Sequence, residues 1–279
     1  MLSVHIQKIF KQCILASFYG WHYAVFRSEV INEGVKRKTK ISIMVPAWNE
    51  EERLPKCMER LLEFTREWKN TCEIVICADG STDRTLSIAN EYASNNSNVR
   101  VSYWPKRLGK GGGLLHGLNK ASGNIVVFTD VDLSASPDQI PKLIAPINRA
   151  VADMVIGSRN LRESIITEEP PTHRKILGRV FNFLFRKLFH SDLHDTQCGF
   201  KAIKSEAFRI LADEISIRGY TFDIDLIVKA LKKGYRVTEI PIVWGYREGS
   251  KVNSFRQSFA MGRSLLLVWF ENQKKEPKP

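Results

Sequence analysis

From Ile41 onward the chain alternates short apolar runs with amphipathic segments, and that alternation limits the fold more than any other feature. Ile41 to Val45 reads as a strand, and Glu50 to Trp68 as a helix with Leu54, Met58, Leu61 and Leu62 on one face. Glu73 to Ala78, Val99 to Trp104 and Asn124 to Phe128 read as further strands, separated by helices that open at Asp83 and Gly111. A helix from Pro137 and a strand from Asp153 to Ile156 continue the series. A chain that leaves each strand through a helix builds an α/β fold, a mainly parallel sheet with helices on both faces. Past Gly157 the pattern loosens into a loop at Glu168 to Thr172, an apolar helix from Ile176 to Phe189 and a short segment from Cys198 to Ile203. A helix from Asp223 to Lys233, a strand from Val237 to Trp244 and a helix from Phe255 to Phe270 complete the reading.

The expected organisation is an amphipathic segment over residues 1–40, one α/β body over 41–254, and a C-terminal amphipathic helix and tail over 255–279. Ile6, Phe10, Cys13, Ser17, Trp21 and Val25 share one helical stripe beside the basic run Lys36 to Lys40, a combination that suits an anionic bilayer surface. Packing on its own domain or in a dimer explains the same stripe. No run approaches the roughly 20 apolar residues of a spanning helix, and no signal peptide is expected. The net charge of +12 admits nucleic acid, anionic lipid or a phosphorylated substrate as partner. No nucleic-acid module is recognisable, and aromatic residues are not interleaved with basic ones as in a stacking platform, so nucleic acid is not expected. Five cysteines without metal-ligand or CxxC spacing suit reduced, buried thiols.

Ligands of open parallel sheets bind beyond the carboxyl ends of the strands. Three clusters fall there: Pro46-Ala-Trp-Asn-Glu50, Ala78-Asp-Gly-Ser-Thr-Asp83 and Thr129-Asp-Val-Asp132. Asp79-Gly80 is also a natural turn, and Asp83 a natural helix cap. Asp130 and Asp132 are like charges one residue apart. Their repulsion raises one pKa unless a cation lies between them, and Mg²⁺ or Mn²⁺ shared with substrate phosphates is the usual remedy. Gly109-Lys-Gly-Gly-Gly113 opens a helix whose amides, with Lys110, suit a phosphate, although it is no P-loop. Late in the chain Arg247-Glu-Gly-Ser-Lys251 offers two cations and a hydroxyl, either a solvated loop or a second phosphate site.

These segments resemble the inverting family 2 glycosyltransferases of the GT-A fold, a Rossmann-like architecture, and within it the polyprenyl-phosphate sugar synthases. The resemblance runs through Val45-Pro-Ala-Trp-Asn-Glu-Glu51, Asp79-Gly-Ser-Thr-Asp83, Gly109-Lys-Gly-Gly112, Asp130-Val-Asp132 and Gly157-Ser-Arg159. It continues in Asp195-Thr-Gln-Cys-Gly-Phe-Lys201, Phe222-Asp223 and Glu248-Gly-Ser-Lys251, and so spans about Ile41 to Phe270. The glucosyl branch, which acts on dolichyl phosphate, is the one it looks most like. Mannosyl relatives tend to carry Gln where Ser134 stands here.

The resemblance implies a nucleotide-sugar site, for UDP-glucose, at Pro46, Trp48, Glu50 and Asp79, with Asp79 on the uracil edge. Many relatives have a second acid where Ala78 stands. It implies Lys110 and Arg159 near the donor diphosphate and Asp130 and Asp132 on Mg²⁺ or Mn²⁺. Arg247, Ser250 and Lys251, helped by Arg174 and Lys175, would grip the phosphate of a polyprenyl or dolichyl lipid. Asp195, Gln197 and Asp223 would border the acceptor, with Asp132, Asp195, Arg247 and Lys251 closest to the reaction. The expected setting is peripheral, on the cytosolic face of a membrane. Phe181, Leu184, Phe185, Leu188 and Phe189 share a helical face that suits a prenyl chain, a bilayer or the core equally. A GDP-mannose-dependent synthase, or a soluble family 2 transferase with a non-lipid acceptor, are the alternative readings.

Overall fold

The computed structural model describes residues 40–68, 71–247 and 254–273. The N-terminal stripe with Cys13, and Ser250 and Lys251 of the late loop, lie outside the described residues. In chain order the elements are β1 (Ile41–Ala47), α1 (Leu54–Glu67), β2 (Cys72–Asp79), α2 (Thr85–Asn95), β3 (Val99–Trp104) and α3 (Lys110–Gly117). Then come β4 (Ile125–Phe128), α4 (Ile140–Asn148), β5 (Met154–Ser158), β6 (Ile165–Glu168), α5 (Thr172–Phe189) and β7 (Lys201–Lys204). The chain continues through α6 (Ser205–Ala212), α7 (Phe222–Lys232), β8 (Val237–Pro241), β9 (Val243–Gly245) and α8 (Ser254–Gln273).

Seven strands form the main sheet in the order β3-β2-β1-β4-β7-β5-β8, and β6 pairs with β9 in a small second sheet. All neighbours in the main sheet are parallel except β7, which runs antiparallel to both β4 and β5. The central strands are apolar throughout because both faces are covered. Alternate residues go to opposite cores: Ile43, Ile74, Ile76 and Val127 pack on one face, Met44, Val75, Cys77 and Phe128 on the other. Phe128 meets Phe208 and Phe222 edge-on at 5.2 and 6.2 Å, which anchors the end of β4 to α6 and α7. Such pairs add about 0.5–1.5 kcal/mol each beyond burial.

The sheet agrees with the expected architecture, and the boundaries differ in instructive ways. The helix read from Glu50 begins only at Leu54, because Pro55 fits a first turn and Glu50 to Arg53 form the turn before it. The strand read from Val237 to Trp244 is two strands that serve different sheets. Strand β6 and helix α6 were not expected, being four and eight residues long. On α5, Phe181 and Phe185 are buried in the core, whereas Ile176, Val180, Phe183 and Leu184 are exposed. The apolar face open to solvent therefore shares only Leu184 with the aromatic stripe seen in the sequence, whose Phe181 and Phe185 are buried. Leu266, Leu267 and Phe270 of α8, which packs beside α5, are exposed as well. No helix among the described residues is long and apolar enough to cross a membrane.

Cys57, Cys72, Cys77 and Cys198 are free and buried. Burial pushes the Cys72 thiol up to about 12 and the Cys198 thiol to about 11, and it raises Cys57 and Cys77 further. Since the thiolate is the reactive form, none of the four should alkylate in the native protein at pH 8. Peptide mass analysis after N-ethylmaleimide treatment, with and without denaturant, checks this; native labelling of any of the four would contradict it.

Candidate active site

The carboxyl ends of β1, β2 and β4 converge on one cavity of about 410 Å³. Pro46, Trp48 and Glu50 reach it from the end of β1, Asp79 from β2, Lys110 from the first turn of α3, and Asp130 and Asp132 from the turn after β4. Arg159 follows β5, Arg174 stands on α5, Gln197 precedes β7 and Asp223 lies in the first turn of α7. Leu177, Gly178 and Phe181 of α5 and Met261 of α8 also line the cavity, so charged and apolar side chains share it.

The paired carboxylates sit in a strained turn: Leu133 adopts φ +49°, and the Leu133 amide donates to the Asp130 carbonyl at 3.1 Å. The Ser134 amide donates to Asp132 Oδ1 at 2.9 Å, which orients that side chain. Lys110 Nζ lies 2.9 Å from Asp130 Oδ1. Burial opposes ionisation of Asp130, but the Lys110 ammonium prevails and holds this carboxyl below its ordinary range. Asp132 has no such partner, so burial, and then Asp130, push its carboxyl above that range. Lys110 is itself held well above the usual lysine range, because Asp130 and Asp223 outweigh its burial. One carboxyl of the pair is thus raised, and Lys110 is the cation on the other.

Asp130 and Asp132 offer hard oxygen donors and, among the described residues, only Asp130 has a lysine in contact. Among the described residues no three His, Cys, Asp or Glu side chains gather to hold a metal. A site of two carboxylates suits an ion that takes its remaining ligands from phosphate and water, as Mg²⁺ and Mn²⁺ do. These residues fit such an ion. Gly199 makes room for them, since a Cβ there would fall inside Asp130 Oδ2. Gly199→Ala should therefore displace the Asp130 carboxylate and reduce turnover by about a hundredfold, in a protein that still folds. Steady-state rates beside a melting curve check this; an active Gly199→Ala would contradict it.

The other expected residues divide. Glu50 is clamped by Arg53 through two hydrogen bonds of 2.7 Å. Asp79 is buried, and its two oxygens accept the Leu108 and Gly109 amides at 2.6 and 2.8 Å. It therefore clasps the loop that leads into α3 as well as facing the cavity. Gly80 at φ +60° lets that loop approach, for a side chain there would collide with the Arg107 backbone. The Arg107 guanidinium lies 3.3 Å from the centre of the Trp48 ring. Asp83 does serve the start of α2, accepting the Thr85 amide at 2.9 Å.

Three placements differ from the sequence reading. Asp195 is fully buried and lies beneath the cavity wall, not on it. Both its oxygens accept from the Arg159 side chain, at 2.6 and 2.8 Å, so it holds Arg159 toward the cavity and does not itself face a substrate. The Glu239 carboxylate fixes this arrangement by accepting the Asp195 amide at 2.8 Å. Arg247 is exposed outside the cavity and pairs with Glu168 at 3.1 Å. Lys175 is likewise outside and pairs with Glu169 at 3.0 Å. For Arg247 the reason is the β6–β9 register: Glu168 stands opposite Gly245, two residues before Arg247, so the acidic end of β6 meets this cation. Arg53, Arg107 and Tyr220 line the cavity without having been singled out. For Arg53 the signal was available, three residues after Glu50; for Arg107 and Tyr220 there was none.

The model of the family described as glycosyl transferase family 2 matches residues 42–211. A dolichyl-phosphate beta-glucosyltransferase of Trichomonas vaginalis is 34% identical over 250 residues, which cover 83% of this chain and 76% of that protein. The human protein named dolichyl-phosphate beta-glucosyltransferase is 30% identical, over 82% of this chain and 74% of its own length. The glycosyltransferase AglD of Haloferax volcanii is 30% identical over 83% of this chain, a stretch that spans only 37% of AglD. Among solved structures, glucosyl-3-phosphoglycerate synthase of Mycobacterium tuberculosis, in complex with Mn²⁺, UDP and glucosyl-3-phosphoglycerate, superposes with a TM-score of 0.61. It is 20% identical over 84% of this chain and 79% of its own, a likeness of fold.

Proposed function

Because the chain belongs to glycosyl transferase family 2, we propose that it moves glucose from UDP-glucose to the phosphate of a dolichyl or other polyprenyl lipid, with inversion to a β-linked product. The observation that carries this reading is the make-up of this cavity, whose lining combines paired carboxylates and cations with the apolar side chains of Leu177, Phe181 and Met261. A phosphorylated lipid needs both kinds of lining. The names of the relatives at 30–34% identity point the same way.

In this reading Pro46, Trp48 and Glu50 bound the nucleotide, and Asp79 meets the base with the lone pairs that the Leu108 and Gly109 amides leave over. Lys110 and Arg159 face the diphosphate. Asp130 and Asp132 would hold Mg²⁺ or Mn²⁺, which when bound supplies charge stabilisation for the departing nucleoside diphosphate. Lipid phosphate, with a second pKa of about 6, is already an oxyanion at neutral pH and needs orientation more than a general base. Arg174, which lines the cavity from α5, is suited to receive it. Gln197 and Asp223 would border the acceptor. Asp195 acts through Arg159. Arg247 and Lys175 serve the acceptor only by leaving Glu168 and Glu169, and Ser250 and Lys251 would join them from the adjoining loop. The exposed apolar residues of α5 and α8, and the amphipathic segment over residues 1–40, would rest on the cytosolic face of the membrane.

A panel of nucleotide sugars against polyprenyl phosphates, with product mass analysis, tests the reading. A glucosyl phospholipid formed only with divalent metal is expected. Turnover with GDP-mannose alone would move the assignment to mannose, and transfer only to a non-lipid acceptor would overturn it.

A further inference from the structure

Lysine is costly to bury, yet Lys201 stands in β7, in the middle of the main sheet, with no exposed surface. Its register partner on β4 is Phe128, two residues before Asp130. Lys201 Nζ donates to Asp223 Oδ1 at 2.7 Å and to the Cys198 carbonyl. The other oxygen of Asp223, Oδ2, lies 3.8 Å from Lys110 Nζ, and Lys110 in turn lies 2.9 Å from Asp130. A line of alternating charges therefore runs from the sheet to the cavity: Lys201, Asp223, Lys110, Asp130. It holds two charges of each sign.

Part of what holds α7 in place is independent of this line: Phe222, the neighbour of Asp223, packs with Phe128 of β4 and Phe208 of α6. The arrangement is also one-sided. Lys110, Asp130 and Asp223 all line the cavity, while Lys201 stands behind them. What Lys201 does supply is a charge that matches Asp223 from the side away from the ligand.

We propose that Lys201 is a positioning residue for donor binding: by neutralising Asp223 from behind, it keeps Asp223 from capturing Lys110 and leaves that ammonium available to the donor diphosphate. The proposal rests on the reading of the cavity as a nucleotide-sugar site. Without Lys201, Asp223 would face Lys110 as an unmatched anion, and the wall that receives a diphosphate would gain one negative charge. Coulomb forces over such distances in a partly buried site change an affinity by roughly tenfold or more.

The test is calorimetric titration of the full chain with UDP in the presence of Mn²⁺, beside melting curves, for wild type, Lys201→Met and the double variant Lys201→Met/Asp223→Asn. Lys201→Met should bind UDP roughly tenfold more weakly. The double variant, whose charges balance again, should return to within about threefold of wild type, whatever either change does to the melting temperature. A fastening role would lower melting temperatures without this loss and recovery. Should Lys201→Met not fold, Asp223→Asn alone decides: it removes the competing anion and should bind UDP at least as tightly as wild type. Wild-type affinity in Lys201→Met, no recovery in the double variant, or weaker binding by Asp223→Asn would each overturn the proposal. A wild type that takes up no UDP would remove the donor reading as well, whereas normal wild-type binding beside an unaffected Lys201→Met would remove this proposal alone.

Discussion

Asp130→Asn is expected to reduce sugar transfer by at least about a hundredfold while leaving the fold intact. Asp130 is the point at which the cavity's charges are tied together, with Lys110 at 2.9 Å and Gly199 packed against its carboxylate. The amide keeps the shape and removes the charge. Lys110 then turns to Asp223, its other anionic neighbour at 3.8 Å, and the carboxylate pair can no longer share a divalent cation. The loss should appear in kcat and in the metal concentration needed for half-maximal rate, and excess metal should not restore it. Steady-state kinetics over a metal series makes the measurement; an Asp130→Asn protein with undiminished turnover would remove the metal assignment.

The second large effect is expected at Asp195. Breaking a fully buried ion pair by removing one partner costs about 3–5 kcal/mol, but here only Asp195 is fully buried and the Arg159 side chain keeps 28% of its surface open, so about 1–3 kcal/mol is expected. Asp195→Asn should lose about that much stability in urea, and also most of its activity, since Arg159 would no longer be held toward the cavity. The pH dependence gives the prediction a sign. Burial opposes ionisation of Asp195, but Arg159 prevails and holds the carboxyl below its ordinary range. Its contribution to stability is therefore present in full above the unfolded pKa, about 3.9, and is lost as pH falls through the lower folded value. Wild type and Asp195→Asn should differ most near neutrality and converge in acid. A stability gap that widens as the pH falls would contradict this account, as would an acid limb in the wild-type rate that Asp195→Asn abolishes without changing stability, the mark of a general base.

The sequence exposed the sheet and the strand-end residues of the cavity because their signals are local. Apolar runs such as Ile125 to Phe128 have one explanation, burial on both faces, and polar residues just past such runs fall at strand ends. Asp79, Asp130 and Asp132 were legible for that reason, and Lys110 from the glycine-rich start of a helix. The acceptor side depended on pairings that no local pattern reveals. Nothing in Glu168-Glu169 announces that a parallel pairing of β6 with β9 will set it against Arg247, and so a loop of acids and a loop of bases read as independent. Asp195 looked like a site carboxylate because a buried acid beneath an arginine and an exposed acid beside a substrate are spelled alike. Lys201 stood in the sequence only as the end of the Asp195 to Lys201 segment; its burial comes from the antiparallel insertion of β7 between β4 and β5. On α5 the sequence left core and lipid open for its aromatic stripe; Phe181 and Phe185 pack, while Leu184 and the neighbouring Val180 and Phe183 are left open.

The central claim is that one cavity brings a UDP-sugar and a lipid phosphate together for a single displacement. Its most direct measurement is the structure of the product made from UDP-glucose and dolichyl phosphate with Mn²⁺, by mass analysis and by the proton coupling at the anomeric carbon. The account predicts a glucosyl phosphate ester of the lipid in the β configuration, formed without a burst of free glucose. An α-linked product, or glucose released or transferred only to water-soluble acceptors, would contradict it.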